Sequence, residues 1–298
     1  MYRPFGCNQL REGIFAPSLT KVGTKKTNER EQNSMGTQLV DTHSHLHDKE
    51  FASDYHEVLE RARQANVSRI LLVGEDSENS KLAVKAAENS SHAWASVGVH
   101  PHRADSFDTS TLATLRSLAT QSNRVVAIGE IGLDFHYDFS PREKQVAVFR
   151  SQIELALELE LPIIVHCREA YDLALSILQS VKPPQAKWPW GVMHCYFGTL
   201  AQAYAFTEAG LLLGIGGSVT FKNAHGVREV VEQLPVESFV LETDAPYMAP
   251  VPYRGKRNEP SFLPLVAEKI AEVKGIPVDT VASVTTANAY RLFRWEKS

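Results

Sequence analysis

Between residues 39 and 244, short apolar runs bounded by Gly, Asp or His alternate with amphipathic stretches. That rhythm is the mark of repeated βα units. Eight runs are present: Leu39 to His43, Arg69 to Gly74, Trp94 to Val99, Val125 to Glu130, Pro162 to Cys167, Trp190 to Cys195, Leu211 to Gly217 and Phe239 to Asp244. Helical spacing separates them, with Val58, Leu59, Ala62 and Ala65 on one face, then Val146, Phe149, Ile153 and Leu157, and later Leu263, Val266, Ile270 and Val273. Strands that read as continuous apolar runs are buried on both faces, which favours a closed α/β (β/α)8 TIM barrel over an open doubly wound sheet. An open sheet would usually carry a glycine-rich phosphate turn after its first strand, where this chain has His43-Ser44-His45.

The barrel is expected over residues 37–298. Residues 1–36 are polar, basic and without periodicity, the composition of a disordered N-terminal extension. Met35, just before the first strand, is an alternative start, and Glu12, Glu29 and Glu31 fit a targeting peptide poorly. Beyond residue 35 the chain has 25 Lys/Arg against 32 Asp/Glu, which argues against a protein that passively coats DNA. An anionic substrate remains compatible if bound cations and a local basic patch reverse the field. No apolar run approaches the roughly 18 to 20 residues needed to span a bilayer, so no membrane partner is expected. Three cysteines, Cys7, Cys167 and Cys195, make no disulfide framework, and cytoplasmic localisation is the expectation.

Titratable residues fall at the ends of five predicted strands, where barrel enzymes carry their active sites. His43 and His45 end the first strand, Glu130 the fourth, His166 the fifth, His194 the sixth and Asp244 the eighth. A lone histidine is usually a core or surface residue, but four histidines and two carboxylates on one rim are a joint pattern. They are too many for one tetrahedral site and about right for two ions sharing a carboxylate. His43 and His45 are two apart, so an extended strand turns both to one face. The same alternation turns Cys167 and Cys195 outward into the helix layer as core, and places Asp41 and Glu242 one layer below the rim, either orienting ligands or purely structural.

Around this centre, His100 and His102 flank Pro101 on the same rim, in contact with substrate or in a solvated loop. His47, His56 and His92 are given ordinary roles, with His136 and His225 as the exceptions to watch. Arg254, Lys256 and Arg257 form the densest basic cluster of the folded part and are candidates to clamp a backbone phosphate, the alternative being a solvated charge run. Arg168 is a second phosphate candidate. Tyr196, Phe197 and Tyr247 lie beside ligand positions and either stack on a base or line the pocket.

These residues resemble the TatD family of metal-dependent deoxyribonucleases, among the amidohydrolase-like barrels. The resemblance runs from about Leu39 to Phe293. It rests on Asp41-Thr42-His43-Ser44-His45-Leu46, Gly98-Val99-His100-Pro101, Ile128-Gly129-Glu130-Ile131-Gly132-Leu133-Asp134, Pro162-Ile163-Ile164-Val165-His166, Met193-His194-Cys195-Tyr196, Leu241-Glu242-Thr243-Asp244-Ala245-Pro246-Tyr247, Arg257-Asn258-Glu259-Pro260 and Asn288. It implies that His43, His45, Glu130 and Asp244 bind one ion and that Glu130, His166 and His194 bind the other. Glu130 stands where other amidohydrolases often bridge their metals with a modified lysine. The extension at the N-terminus is the one departure from the family pattern.

The expected reaction is attack of an activated water on phosphorus, with two divalent ions (Mg²⁺, Mn²⁺ or Zn²⁺) as cofactors and Asp244 and Glu130 as catalytic carboxylates. DNA is the expected substrate, cut as an exonuclease at single-stranded or 3′ ends. The rival reading is ester cleavage on a D-aminoacyl-tRNA. A non-catalytic barrel would be marked by lost ligands, and none is lost here. No obligate protein partner is evident.

Overall fold

A computed structural model describes residues 37–181 and 189–295. The expectation for residues 1–36 lies outside the described residues. Eight strands follow one another in chain order: β1 (Leu39–Ser44), β2 (Val67–Val73), β3 (Ala93–Val97), β4 (Val125–Asp134), β5 (Ile163–Arg168), β6 (Gly191–Met193), β7 (Leu211–Ile215) and β8 (Phe239–Leu241). Each pairs in parallel with the next. The circle closes where β8 meets β1: Asp244 N–H donates to the His43 carbonyl at 2.9 Å, and His45 N–H to the Ala245 carbonyl at 2.8 Å. The expected (β/α)8 barrel is therefore the observed one.

Around the barrel lie α1 (Tyr55–Gln64), α2 (Ser77–Glu88), α3 (Thr109–Gln121), α4 (Arg142–Glu158), α5 (Tyr171–Val181), α6 (Leu200–Glu208), α7 (His225–Gln233), α8 (Leu263–Lys274) and α9 (Val278–Leu292). Local sequence starts several of them. Asp76 caps α2 by accepting from Asn79 N–H, and reciprocal capping boxes begin α3 at Asp108 and Thr111 and α6 at Thr199 and Gln202. The apolar faces read from the sequence are the buried ones: Val58 and Ala62, Phe149 and Ile153, Leu263, Val266 and Ile270. Truncating one such fully buried aliphatic side chain to Ala typically costs about 2–5 kcal/mol.

Two apolar layers result. The larger lies between strands and helices. The smaller takes Val40, Leu71, Val73, Val126, Ile164, Val192, Leu212 and Val240 from the strands, with Leu292, Phe293 and Trp295 from the end of α9. It draws alternate residues from the strands and nothing from α1–α8, which makes it the filling of the barrel itself. Strand parity then carries the chain from Ile164 to His166, from Val192 to His194 and from Val240 to Glu242, each time toward the rim.

No strand ends at its expected residue: β3, β6, β7 and β8 stop two or three residues short, and β4 runs four beyond. β6 and β8 stop at Met193 and Leu241, short of the apolar runs, because Cys195 and Asp244 adopt left-handed backbone at φ 44° and 57°, outside any ladder. β4 runs on to Asp134, since Gly132, Leu133 and Asp134 still pair with His166, Cys167 and Arg168. Gly132 permits that approach: at φ 148°, a Cβ there would fall 1.9 Å from the His166 carbonyl oxygen.

Candidate metal centre at the barrel rim

The six predicted ligands meet in one cluster, with Glu130 in the middle. Its Oε2 is 3.4 Å from His43 Nε2, while its Oε1 is 2.9 Å from His166 Nδ1 and 3.8 Å from His194 Nε2. Asp244 Oδ1 lies 3.6 Å from His45 Nε2, 3.7 Å from His194 Nε2 and 3.9 Å from His43 Nε2. One carboxylate thus presents its two oxygens to different imidazoles, the geometry a shared ligand needs. His100 joins the same side, its Nε2 3.7 Å from Glu130 Oε1, and His100, Glu130 and His166 can converge on one point. Two further convergent sets are His43, His45 and Glu130, and His43, His194 and Asp244.

The donors fit a divalent cation. Both ring nitrogens of His43 are buried without a hydrogen-bond partner, and its ring stacks on that of His194 at 3.4 Å. Orphaned buried nitrogens packed against a second imidazole are costly unless a cation completes them.

Outer partners aim the inner ones. The Val73 carbonyl lies 3.1 Å from His45 Nδ1, which turns Nε2 to Asp244. Glu242 Oε2 stands 3.1 Å from His194 Nδ1, and its Oε1 accepts from Cys195 N–H at 2.6 Å. Gly214 makes room for that carboxylate, since a Cβ there would be 2.3 Å from Glu242 Oε2. Asp41 instead braces the closure of the barrel, accepting from Thr243 N–H and Oγ1 at 2.9 and 2.6 Å and from His43 N–H at 3.3 Å. Complete burial raises its carboxyl to about 7.

Sequence reasoning left Asp134 unassigned, although it quoted the residue in a motif. Its Oδ2 lies 3.0 Å from His166 Nε2 and 2.9 Å from His102 Nε2, while Oδ1 accepts from the N–H groups of His136 and Tyr137. Burial alone would raise its pKa, yet the two histidines and the backbone donors hold it far below the carboxylate range. The available signal was its place at a strand end, four residues past Glu130. Gln145 and Gln152 were also missed, although each interrupts the apolar face of α4. Gln145 clasps Asp134 N–H and carbonyl, and Gln152 clasps Val99 N–H and carbonyl beside His100.

Several expected contacts turn out differently. Arg257 donates to both oxygens of Asp54 at 2.9 and 2.5 Å and to the Glu50 carbonyl at 2.7 Å, which occupies the fork expected to clamp phosphate. Its neighbours are structural too: Asn258 donates to the carbonyls of Thr243 and Tyr247, and Glu259 accepts a fork from Arg61. Arg254 and Lys256 are exposed and lie over the rings of Phe221 and Tyr253. Arg168 is exposed, 4.8 Å from the Tyr137 ring centroid. Tyr196 is core, not a stacking surface: it is 2% exposed and its hydroxyl donates to the Thr199 carbonyl. Phe197 and Tyr247 remain 49% and 55% exposed, and Tyr247 lies edge-on to His45 at 6.2 Å. His136 pairs with Glu169, while His225 opens α7 beside Arg228.

Cys167 packs in the core as expected, with burial lifting its thiol to about 12. Cys195 does not follow strand parity, because the strand has already ended. Its sulfur lies within 4.8 Å of ligand atoms of His194 and Glu242. Burial and the nearby carboxylates raise that thiol well above its ordinary range.

Imidazoles and carboxylates gathered in this way on a barrel rim are the equipment of metal-dependent hydrolases, and fold and site assign the chain to that class. Residues 40–294 match the family model described as TatD related DNase, and the chain belongs to that family. It is 43% identical over 256 residues to YabD of Bacillus subtilis, described as an uncharacterized metal-dependent hydrolase, covering 86% of this chain and 99% of that protein. It is 39% identical over 261 residues to the 3′-5′ ssDNA/RNA exonuclease TatD of Erwinia amylovora, covering 86% and 99%. The crystal structure of YJJV, a TatD homologue from Escherichia coli, superposes with a TM-score of 0.82 at 32% identity, covering 87% of this chain and 99% of that one. Among the described residues no helix is long and apolar enough to cross a membrane.

Proposed function

We propose that this chain hydrolyses the phosphodiester backbone of DNA, working as an exonuclease on single-stranded or 3′ ends. The observation that carries the reading is Glu130, whose two oxygens face separate sets of imidazoles at the mouth of the barrel. His43, His45, Glu130 and Asp244 would hold one divalent ion, and Glu130, His166 and His194 a second, with His100 beside it. Bound there, Mg²⁺, Mn²⁺ or Zn²⁺ would supply Lewis acidity and lower the pKa of water.

The residues of the chain do the rest. Asp244 is the proton acceptor for the attacking water. Its side chain is 15% exposed, and the histidines outweigh burial to keep its pKa low, so it is a carboxylate at neutral pH. Arg168, Arg254 and Lys256 are the cations available to the phosphates of the strand. Relatives carrying the exonuclease description support nucleic acid over the D-aminoacyl ester of a tRNA. The test sets single-stranded DNA with a free 3′ end beside a D-aminoacyl-tRNA. Cleavage of the DNA alone is expected, and deacylation without nucleolysis would overturn the reading.

A further inference from the structure

The loop between β4 and α4 carries Tyr137 and Phe139, whose rings stack 12° from parallel with centroids 5.4 Å apart. Phe139 is 67% exposed, the most exposed large hydrophobic side chain among the described residues, and Tyr137 is 42% exposed. Two stacked aromatic rings left in water form a contiguous patch of the kind that marks an interaction site.

The pair is tied directly to the metal centre. His102 packs edge-on against Phe139 at 4.9 Å and against Tyr137 at 5.8 Å. The same His102 shares the Asp134 carboxylate with His166. The Arg168 guanidinium lies 4.8 Å from the Tyr137 ring centroid. The nearby acids are already paired, Glu169 with His136 and Asp138 with Arg142. A ring for a base and a cation for a phosphate thus stand side by side next to the candidate site.

Hydrogen bonds also anchor the residues that flank the pair. Ser140 is buried, donates to the His102 carbonyl and accepts from Asp105 N–H, while Gln145 donates to the Ser140 carbonyl. Arg142 donates to the Phe135 carbonyl and pairs with Asp138. Anchoring of this kind lowers the ordering cost of binding.

We infer that Phe139, backed by Tyr137, is a stacking platform for an unpaired base next to the scissile phosphate, and that Arg168 takes the adjoining phosphate. Every base has a π face, so the platform accepts any sequence but requires a base free of its complement. The inference rests on the nuclease reading above and adds the reason for a single-stranded preference.

The experiment measures KM and kcat of wild type, Phe139→Ala, Phe139→Trp and the double variant Tyr137→Ala/Phe139→Ala. Substrates are a mixed-sequence single-stranded oligonucleotide, the same strand with abasic analogues in its last three positions, and bis(4-nitrophenyl) phosphate. Stacking of one base is typically worth enough that Phe139→Ala should raise KM on the intact strand about tenfold. Phe139→Trp should restore it. The abasic strand should lose its sensitivity to the substitution. An unchanged KM for both alanine variants on a strand that wild type degrades would overturn the platform. Hydrolysis of the small diester with no attack on any strand by wild type would overturn the nuclease reading instead.

Discussion

Asp134 Oδ2 stands 3.0 Å from His166 Nε2, and through that contact the last carboxylate of β4 sets the ring of a candidate ligand whose Nδ1 faces Glu130 at 2.9 Å. Partners of this kind fix tautomer and orientation, and their loss typically weakens metal binding about 10–100-fold. Asp134→Asn should therefore lower Mn²⁺ affinity by that order while activity at saturating metal recovers in large part. Titration calorimetry checks it, and an unchanged affinity would remove Asp134 from the centre.

Gly214→Ala provides the matching test on His194. The added methyl meets the Glu242 carboxylate at 2.3 Å, so Glu242 must leave His194 Nδ1 or the backbone must shift. Metal content after gel filtration should drop relative to wild type, and Glu242→Gln should show a similar loss. Full metal retention in both would mean that Glu242 serves only the backbone of Cys195.

The metal-free centre should bind protons where it otherwise binds metal. Burial would depress His45, His166 and His194, yet Asp244 and Glu75 for the first, Asp134 and Glu130 for the second, and Glu242 and Glu130 for the third hold them at about 9, 9 and 10. Against an ordinary value of 6.5, these raised groups stabilise the metal-free fold fully below pH 6.5 and lose that contribution as pH rises through 9 to 10. Metal takes neutral imidazole, so loading at pH 7.5 should release protons. Calorimetry in two buffers of different ionisation enthalpy detects the release, and its absence would contradict this charge state.

Arg257→Ala separates a phosphate clamp from a brace. Its fork on Asp54 and its bond to the Glu50 carbonyl predict a melting temperature lowered by a few degrees with KM for DNA nearly unchanged. A large rise in KM at constant stability would restore Arg257 to the substrate.

How much of this was legible beforehand depended on range. The barrel and the clustering of its strand-end candidate ligands could be read because apolar period and strand parity are local properties, visible as Ile164 leads to His166 and Val192 to His194. Cys195 escaped that logic because its left-handed backbone breaks the alternation on which parity depends. Arg257 escaped it because its partner Asp54 is some 200 residues away, and sequence shows a charge without its counter-charge. Asp134 ends β4 beyond the expected strand limit, and Tyr137 and Phe139 lie in the loop that follows, whose path is set by Ser140, Gln145 and His102, contacts that only the folded chain brings together.

The most direct measurement follows a 5′-labelled single-stranded oligonucleotide incubated with the purified protein, comparing wild type with Asp244→Asn in the presence of Mg²⁺ or Mn²⁺. The account predicts a ladder shortening from the 3′ end, abolished by a chelator, restored by adding metal back, and reduced at least about 100-fold in the variant although its fold persists. Cleavage indifferent to metal and to Asp244→Asn, or no cleavage by the metal-loaded wild type, would contradict it.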